Sequence, residues 1–218
     1  MQNSLLKNTI ILIFLIKTIF SAVAQQSEKQ YWKPNKFGVL YQNGNEGNFM
    51  FDDPDYTHTA KSIKAIATYQ IASWRKFEFD GLIQTSYQVQ KHQLLNEQFI
   101  TPDIDDYLAK RVEFTQLKTI HFSAFELGLV IHYRLFPKTK ITSILGAGAG
   151  YLDTESERVA KGFSFIENFS IGITQVVFLK TECYVGMNIQ HISNLDFQSP
   201  NSGYNFVGFE IGLHYVLN

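Results

Sequence analysis

The sequence predicts an all-β protein, an eight-stranded antiparallel transmembrane β-barrel, and three observations lead to that fold class. Long segments alternate apolar and polar residues with a period of two, the pattern of β-strands that have two different faces. The chain starts with an export signal, yet its only cysteine, Cys183, cannot form an intramolecular disulfide. Its 19 phenylalanines and 11 tyrosines are many for an exported protein of 218 residues. These features together are typical of bacterial outer-membrane barrels.

Residues 1–24 have the composition of a cleavable secretory signal peptide. Lys7 precedes an apolar run that Lys17 interrupts, and the segment 22–24, Ala-Val-Ala, supplies the small residues of a cleavage site. After residue 24 no apolar stretch reaches the roughly 18 residues that a membrane-spanning helix needs. We therefore expect an exported mature chain of residues 25–218, which forms a barrel in the bacterial outer membrane.

Eight segments are candidate strands, and their connections alternate in length. The clearest alternation occurs in 76–90, 125–136, 141–152, 163–174 and 204–217, with weaker candidates at 36–43, 60–74 and 181–194. Several of these segments are long enough to cross a bilayer at a tilt. Short connections are expected near 73–76, 137–140 and 178–181, and longer polar ones at roughly 44–59, 91–117, 153–162 and 195–203. Short periplasmic turns opposite long external loops are the arrangement of outer-membrane barrels.

A soluble, lipocalin-like barrel is the structural alternative, because alternation alone does not say which face is inside. The polar face of the strands is rich in Gly, Ser, Gln, Glu and His, which suits the narrow lumen of a small membrane barrel. The parity of Glu210 places it in that lumen, and the glycines of 146–150 are expected to relieve crowding there. Strand length and loop asymmetry favour the membrane barrel.

Composition excludes several classes of function. The formal net charge of −1 gives no electrostatic case for nucleic acid as a partner. One cysteine and histidines on different strands provide no metal-ligand cluster, and neither a phosphate loop nor a G-x-S-x-G elbow occurs. The sequence predicts neither a metal nor a cofactor, and it leaves open whether the barrel forms a homodimer.

One strand departs from the apolar pattern of its outward face. In the segment 181–194, every second residue from Val185 onwards is on the outward face. This alternation places His191 and Ser193 on the lipid-facing side, at the external end of the strand. Polar groups are costly on that face unless they lie near the interface or perform a function. An imidazole two residues from a serine can act as its general base, and the surroundings favour a lipid ester as substrate. The alternative is a pair of interfacial residues that head groups solvate.

The stretch 191–205, HISNLDFQSPNSGYN, resembles the active-site signature of the PagL-type lipid A 3-O-deacylases, which are eight-stranded outer-membrane barrels. Those proteins show H-x-S-N, a short spacer, and then P-N-x-G-x-E. The matching residues here are His191, Ser193, Asn194, Pro200, Asn201 and Gly203. The resemblance implies that Ser193 is the nucleophile and His191 the base, with Asn194 and Asn201 as oxyanion-hole, substrate-binding or loop-positioning residues. The implied substrate is lipid A of lipopolysaccharide, among the other outer-membrane lipids.

The glutamate of the family signature, which orients the histidine, is replaced here by Asn205. Asparagine can hold an imidazole by a hydrogen bond, but it adds no negative charge to stabilise the imidazolium. Glu167 is an alternative acid, since a turn centred near residue 179 would pair it with His191 across two strands. Two other functions stay open: a phospholipase-like esterase, and a structural barrel that lost its catalytic activity when the glutamate was replaced.

Overall fold

The computed structural model describes residues 33–46 and 53–217, so the predicted signal peptide, residues 1–24, lies outside the described residues. The strands are β1 (Lys36–Asn45), β2 (Tyr56–Trp74), β3 (Phe77–Leu94), β4 (Lys118–Phe136), β5 (Thr139–Leu152), β6 (Gly162–Phe178), β7 (Thr181–Ser193) and β8 (Tyr204–Val216). A 3-10 helix, Glu97–Phe99, and a short helix α1, Tyr107–Phe114, lie between β3 and β4. None of the helices in the described part of the chain is long and apolar enough to cross a membrane.

The strands form a closed barrel in which each strand pairs antiparallel with the next and β1 pairs with β8. This confirms the predicted fold class. The connections after β2, β4 and β6 are tight turns, with positive φ at Arg75 (55°) and Leu179 (37°). The other four connections are longer and all lie at the opposite end of the barrel. That end is the external one by the usual arrangement of outer-membrane barrels.

The outward face of the barrel is apolar, and the inward face is largely polar. Outward side chains such as Val39, Ile63, Leu127, Met187 and Leu213 are more than half exposed. Inward side chains such as Gln84, Gln88, Glu126, Ser170 and Asn188 are almost completely buried. A lipocalin-like barrel would have the reverse arrangement, with its apolar face around an internal ligand. The protein therefore presents its hydrophobic band to lipid, as a transmembrane barrel does.

Three strands extend at the external end by four or more residues beyond the predicted segments. β2 starts at Tyr56, and its pairing with β3 continues to Leu94, while β4 already starts at Lys118. The outward side chains of these extensions, which include Thr57, Lys91 and Thr119, are polar. The hydropathy alternation thus stops where the apolar band stops, although the ladder of backbone hydrogen bonds continues beyond it.

The lumen is narrow and is filled by side chains. A Cβ built on Gly148 would lie 2.0 Å from the Phe125 carbonyl oxygen and 2.7 Å from Glu126 Cα, so only glycine allows β4 and β5 to pass so closely there. Glu126 accepts hydrogen bonds from Gln84 Nε2 (2.8 Å) and from Asn168 Nδ2. The predicted role of the glycines in 146–150 is therefore confirmed at Gly148.

Glu210 lies in the lumen, as its parity predicted, and forms a buried ion pair with Lys64. The Nζ–Oε1 distance is 2.5 Å, and both side chains are almost fully excluded from solvent. Replacing Lys64 with methionine leaves Glu210 without its countercharge. We expect Lys64→Met to lower the free energy of unfolding by about 3–5 kcal/mol, measured as a lower urea midpoint for loss of the compact band on unheated gels.

The matched control is Lys91→Met, which removes an exposed lysine from the outward face of β3. It should leave the urea midpoint almost unchanged, because an exposed lysine contributes little to stability. A double variant, Lys64→Met with Glu210→Leu, should recover most of the lost stability, since it buries no unpaired charge. Equal midpoints for Lys64→Met and wild type would contradict this interpretation of the lumen.

Candidate active site on the lipid-facing surface

The external end of β7 carries His191 and Ser193 on the outward face of the barrel, between β6 and β8. The strand register places Glu167 of β6, His191 and Asn205 of β8 in one row of directly paired residues. Ser193, the last residue of β7, pairs with Phe165 in the row above it. Outward side chains in one row are close neighbours, about 4.5–5.5 Å apart at Cβ. The structure thus brings together four polar side chains that the sequence singled out.

The imidazole of His191 is held by Asn205. The distance between His191 Nδ1 and Asn205 Oδ1 is 2.6 Å. An amide oxygen only accepts hydrogen bonds, so Nδ1 carries the proton and donates it to Asn205. The lone pair of Nε2 is then able to accept a proton, which is the tautomer that a general base requires.

Ser193 lies in a constricted position beside this imidazole. Its residue surface is only 7% exposed, although its side chain is on the lipid-facing side of the strand. No hydrogen bond joins Ser193 Oγ to His191 within residues 33–46 and 53–217. Hydrogen bonds between catalytic groups are often long in the free enzyme and shorten when substrate binds. Ser193 and His191 thus share one face of the strand and one pocket, although no hydrogen bond joins them in the described residues.

That pocket is an apolar groove of about 410 Å³, which we call the β5 groove, and His191, Ser193 and Glu167 lie on its border. Its floor is formed by the small residues Ala147, Gly148 and Ala149 of β5. Larger side chains form its walls, namely Phe125, Leu127, Phe165 and Leu195. The depression exists because small outward residues on one strand lie between large ones on the neighbouring strands. Such a groove fits a hydrocarbon chain.

The connection 194–203 folds back over the end of β7 through two asparagines. The Asn194 backbone N–H donates to Asn201 Oδ1 (2.6 Å), and Asn194 Nδ2 donates to the carbonyls of Gln198 (2.9 Å) and Pro200 (3.2 Å). Asn194 is fully buried. The structure therefore brings both predicted asparagines next to the serine, and their contacts fit loop positioning.

Arg158, in the connection between β5 and β6, fixes the other side of this loop, and sequence analysis missed it. Its backbone carbonyl accepts hydrogen bonds from the amides of Ser202 (2.7 Å) and Gly203 (3.2 Å). Its Nε donates to the Gly203 carbonyl (2.8 Å), and its Nη1 contacts Asp53 Oδ2 at 3.2 Å. No local motif marks this arginine, because the contact joins residues from three different connections.

Gly203 lies against the edge of the imidazole ring. Its φ is +74°, a region that side-chain-bearing residues rarely adopt. A Cβ at this position would lie 2.8 Å from His191 Cε1 and 3.4 Å from His191 Nε2. The glycine of the signature therefore leaves room for the ring next to its Nε2 atom.

Of the two competing glutamates, only Glu167 is near the imidazole. It is directly opposite His191 in the register, as its hypothesised role requires, but it is exposed, and the hydrogen bond of His191 goes to Asn205 instead. Glu210 is buried in the lumen, where it forms an ion pair with Lys64. His191 thus has an amide on one side and a carboxylate on the other.

Comparison with known proteins identifies the family and the fold of this chain. Residues 63–214 match the family model of PagL, lipid A 3-O-deacylase. The crystal structure of the outer membrane enzyme PagL is similar, with a TM-score of 0.55 at 12% identity over 83% of this chain and 99% of that one. Neisserial surface protein A gives a TM-score of 0.44 at 9% identity, covering 84% of this chain and 96% of its own. No curated protein matches the chain in sequence.

At these identities the structural likeness to PagL shows a shared fold. Fold and site together define an outer-membrane β-barrel with a serine and a histidine on its lipid-facing surface. The family model covers well over half of the chain, and the chain belongs to the PagL family of lipid A 3-O-deacylases. The resemblance of 191–205 to the family signature predicted this membership, which is confirmed.

Proposed function

We propose that the protein is an outer-membrane esterase that removes an ester-linked acyl chain from lipid A. The observation that carries the proposal is the position of His191 and Ser193 on the lipid-facing surface, at the border of an apolar groove. Lipid in the outer leaflet reaches this position without leaving the membrane. We also propose that residues 1–24 direct export and are then removed, as their composition suggests.

In the proposed reaction, Ser193 Oγ attacks the ester carbonyl of the substrate while His191 Nε2 takes the serine proton. The resulting imidazolium gives this proton to the sugar oxygen as the carbon–oxygen bond breaks, which leaves an acyl-serine. Water then attacks the acyl-serine, again with His191 as base, and releases a fatty acid and free Ser193. The β5 groove holds the acyl chain that is cleaved, so that its ester lies beside the serine.

We assign separate tasks to the two groups that flank the imidazole. Asn205 fixes the ring and its tautomer through the bond to Nδ1. Glu167, the paired residue on the other side, supplies negative charge near the imidazolium that forms during the reaction. Together they replace the single glutamate of the family signature, which would both orient the imidazole and stabilise the imidazolium.

Asn194 and Asn201 position the loop that covers the serine. The Asn194 backbone N–H is already bonded to Asn201 Oδ1, and its side-chain amide is bonded to loop carbonyls. A role in an oxyanion hole requires the bond between Asn194 N and Asn201 Oδ1 to open when substrate binds. Loop positioning requires no such change, and we therefore propose it for both residues.

Purified protein, incubated in detergent with lipid A and separately with a diacyl glycerophospholipid, tests the proposal. Mass spectrometry should show lipid A that has lost one acyl chain together with the free fatty acid, while the phospholipid stays intact. Cleavage of the phospholipid in preference to lipid A would favour the phospholipase-like alternative. Unchanged lipids in both incubations would favour the non-catalytic barrel.

Gly203→Ala should lower kcat about tenfold while the barrel stays folded. The new methyl group displaces the imidazole from its place beside Asn205, and small displacements of a catalytic group reduce rates strongly. Steady-state release of fatty acid from lipid A measures the effect. Ser202→Ala, one residue earlier and exposed, is the matched control and should keep the wild-type rate; an unchanged kcat for Gly203→Ala would contradict the role of this close contact.

A further inference from the structure

A second groove, of about 740 Å³, lies on the lipid-facing surface on the other side of the candidate active site. We propose that it binds the part of the lipid substrate that is not cleaved, namely a phosphorylated sugar head group with its remaining acyl chains. This inference rests on the proposed function and adds a binding site to it. We call this depression the β8 groove, because β8 lies at its centre.

The floor of the β8 groove is apolar. It consists of outward side chains from β6, β7 and β8, among them Phe169, Ile171, Met187, Ile189 and Phe209. The register places these side chains in the two rows directly below the row of Glu167, His191 and Asn205. The floor therefore has the length and chemistry to accept hydrocarbon chains.

The two grooves adjoin beneath the imidazole. Ile189 precedes His191 by two residues on β7, and Phe169 follows Glu167 by two residues on β6, so that each pair shares the outward face. Ser193 and the β5 groove are on one side of this boundary, and the β8 groove is on the other. A lipid with several acyl chains can place one chain in the β5 groove and others in the β8 groove, with the ester between them.

The far rim of the β8 groove is polar, in contrast to its floor. Asn43 and Asn45 of β1 and Thr59 and Lys61 of β2 line it. The register pairs Asn43 with Lys61 and Asn45 with Thr59, so the four side chains form one compact polar cluster. An amide, hydroxyl and ammonium cluster at the edge of an apolar surface suits a charged, hydroxylated head group.

One charged group in this rim has unused binding capacity. Lys61 is exposed and has no carboxylate or hydrogen-bond partner among residues 33–46 and 53–217. Its ammonium complements a phosphate. A phosphorylated sugar head group offers this partner.

The height of Lys61 in the barrel agrees with a head group. Lys61 is further along β2 from the tight-turn end at Trp74 than His191 is along β7 from Thr181. The hydrogen-bonded row that joins Lys61 to Asn43, Phe209 and Met187 therefore rises from β7 towards β2, and this brings Lys61 towards the external end of the barrel. Charged groups at that level meet lipid head groups rather than the hydrocarbon centre.

Lipid binding to full-length Ser193→Ala protein in detergent, measured by native mass spectrometry, tests the proposal without turnover. Adding Lys61→Gln should weaken binding of lipid A about tenfold, because one charge-assisted contact is lost. Binding of lipid A whose phosphates have been removed should be weaker than that of lipid A and insensitive to Lys61→Gln. Inorganic phosphate at millimolar concentration should not displace lipid A, since it lacks the acyl chains that the floor holds.

Lys110→Gln, which removes an external lysine on α1 outside the groove, is the matched control and should bind lipid A like the Ser193→Ala parent. Equal binding of lipid A by the parent and by the Lys61→Gln variant would overturn the proposal, as would a complete lack of binding by the parent. A wild-type protein that cleaves no lipid, combined with Lys61-dependent binding, would refute the proposed function and leave this site standing. The two hypotheses therefore fail separately.

Discussion

Ser193→Ala should reduce the release of fatty acid from lipid A by about three orders of magnitude or more, because it removes the nucleophile of the proposed reaction. His191, Asn205 and the β5 groove stay in place in this variant, so lipid A should still bind. The result to expect is therefore a fall in kcat with little change in the binding of lipid A. Quantitative mass spectrometry of lipid A and fatty acid over time measures the rate.

Ser202→Ala is the matched control for this variant. Ser202 belongs to the same connection, is exposed, and contacts Arg158 through its backbone rather than its hydroxyl. A folded Ser193→Ala barrel with the wild-type rate would show that another residue attacks the ester, and it would end the assignment of Ser193. Wild-type protein quenched during turnover should carry one acyl group on the peptide that contains Ser193, and the alanine variant should carry none.

The strands and their faces could be predicted from the sequence because both depend on local alternation. A period of two fixes which side chains share a face, so the outward positions of His191 and Ser193 followed directly from Val185 and its neighbours. The same signal failed at the external end of β2, where the strand extends to Tyr56 with polar residues such as Thr57 on its outward face. There the surrounding medium no longer requires apolar side chains.

The candidate site was predictable only in part, because register and loop contacts are not local. A turn centred near residue 179 was enough to place Glu167 opposite His191, and the structure has this pairing. Arg158 could not be found in this way, since it meets Gly203 through two connections that converge only in the folded barrel. The β5 groove had a sequence signal that went unused, namely the outward alanines of 146–150 between bulky neighbouring strands.

Asn205→Leu should lower kcat about a hundredfold, which tests whether an amide has taken over the orienting role of the family glutamate. Leucine has a similar size but accepts no hydrogen bond, so the ring of His191 loses the partner that places the proton on Nδ1. In other hydrolases, replacing the aspartate of a Ser-His-Asp triad with asparagine reduces rates strongly, because the histidine then adopts the wrong tautomer. Steady-state kinetics on lipid A should show the loss in kcat rather than in KM.

Asn205→Glu should have the opposite effect and raise kcat, because a carboxylate both accepts the Nδ1 proton and stabilises the imidazolium. Glu167→Gln separates the two flanking groups: we expect it to lower kcat modestly and to leave the ring oriented. Full activity of Asn205→Leu together with an inactive Glu167→Gln would instead make Glu167 the residue that orients His191.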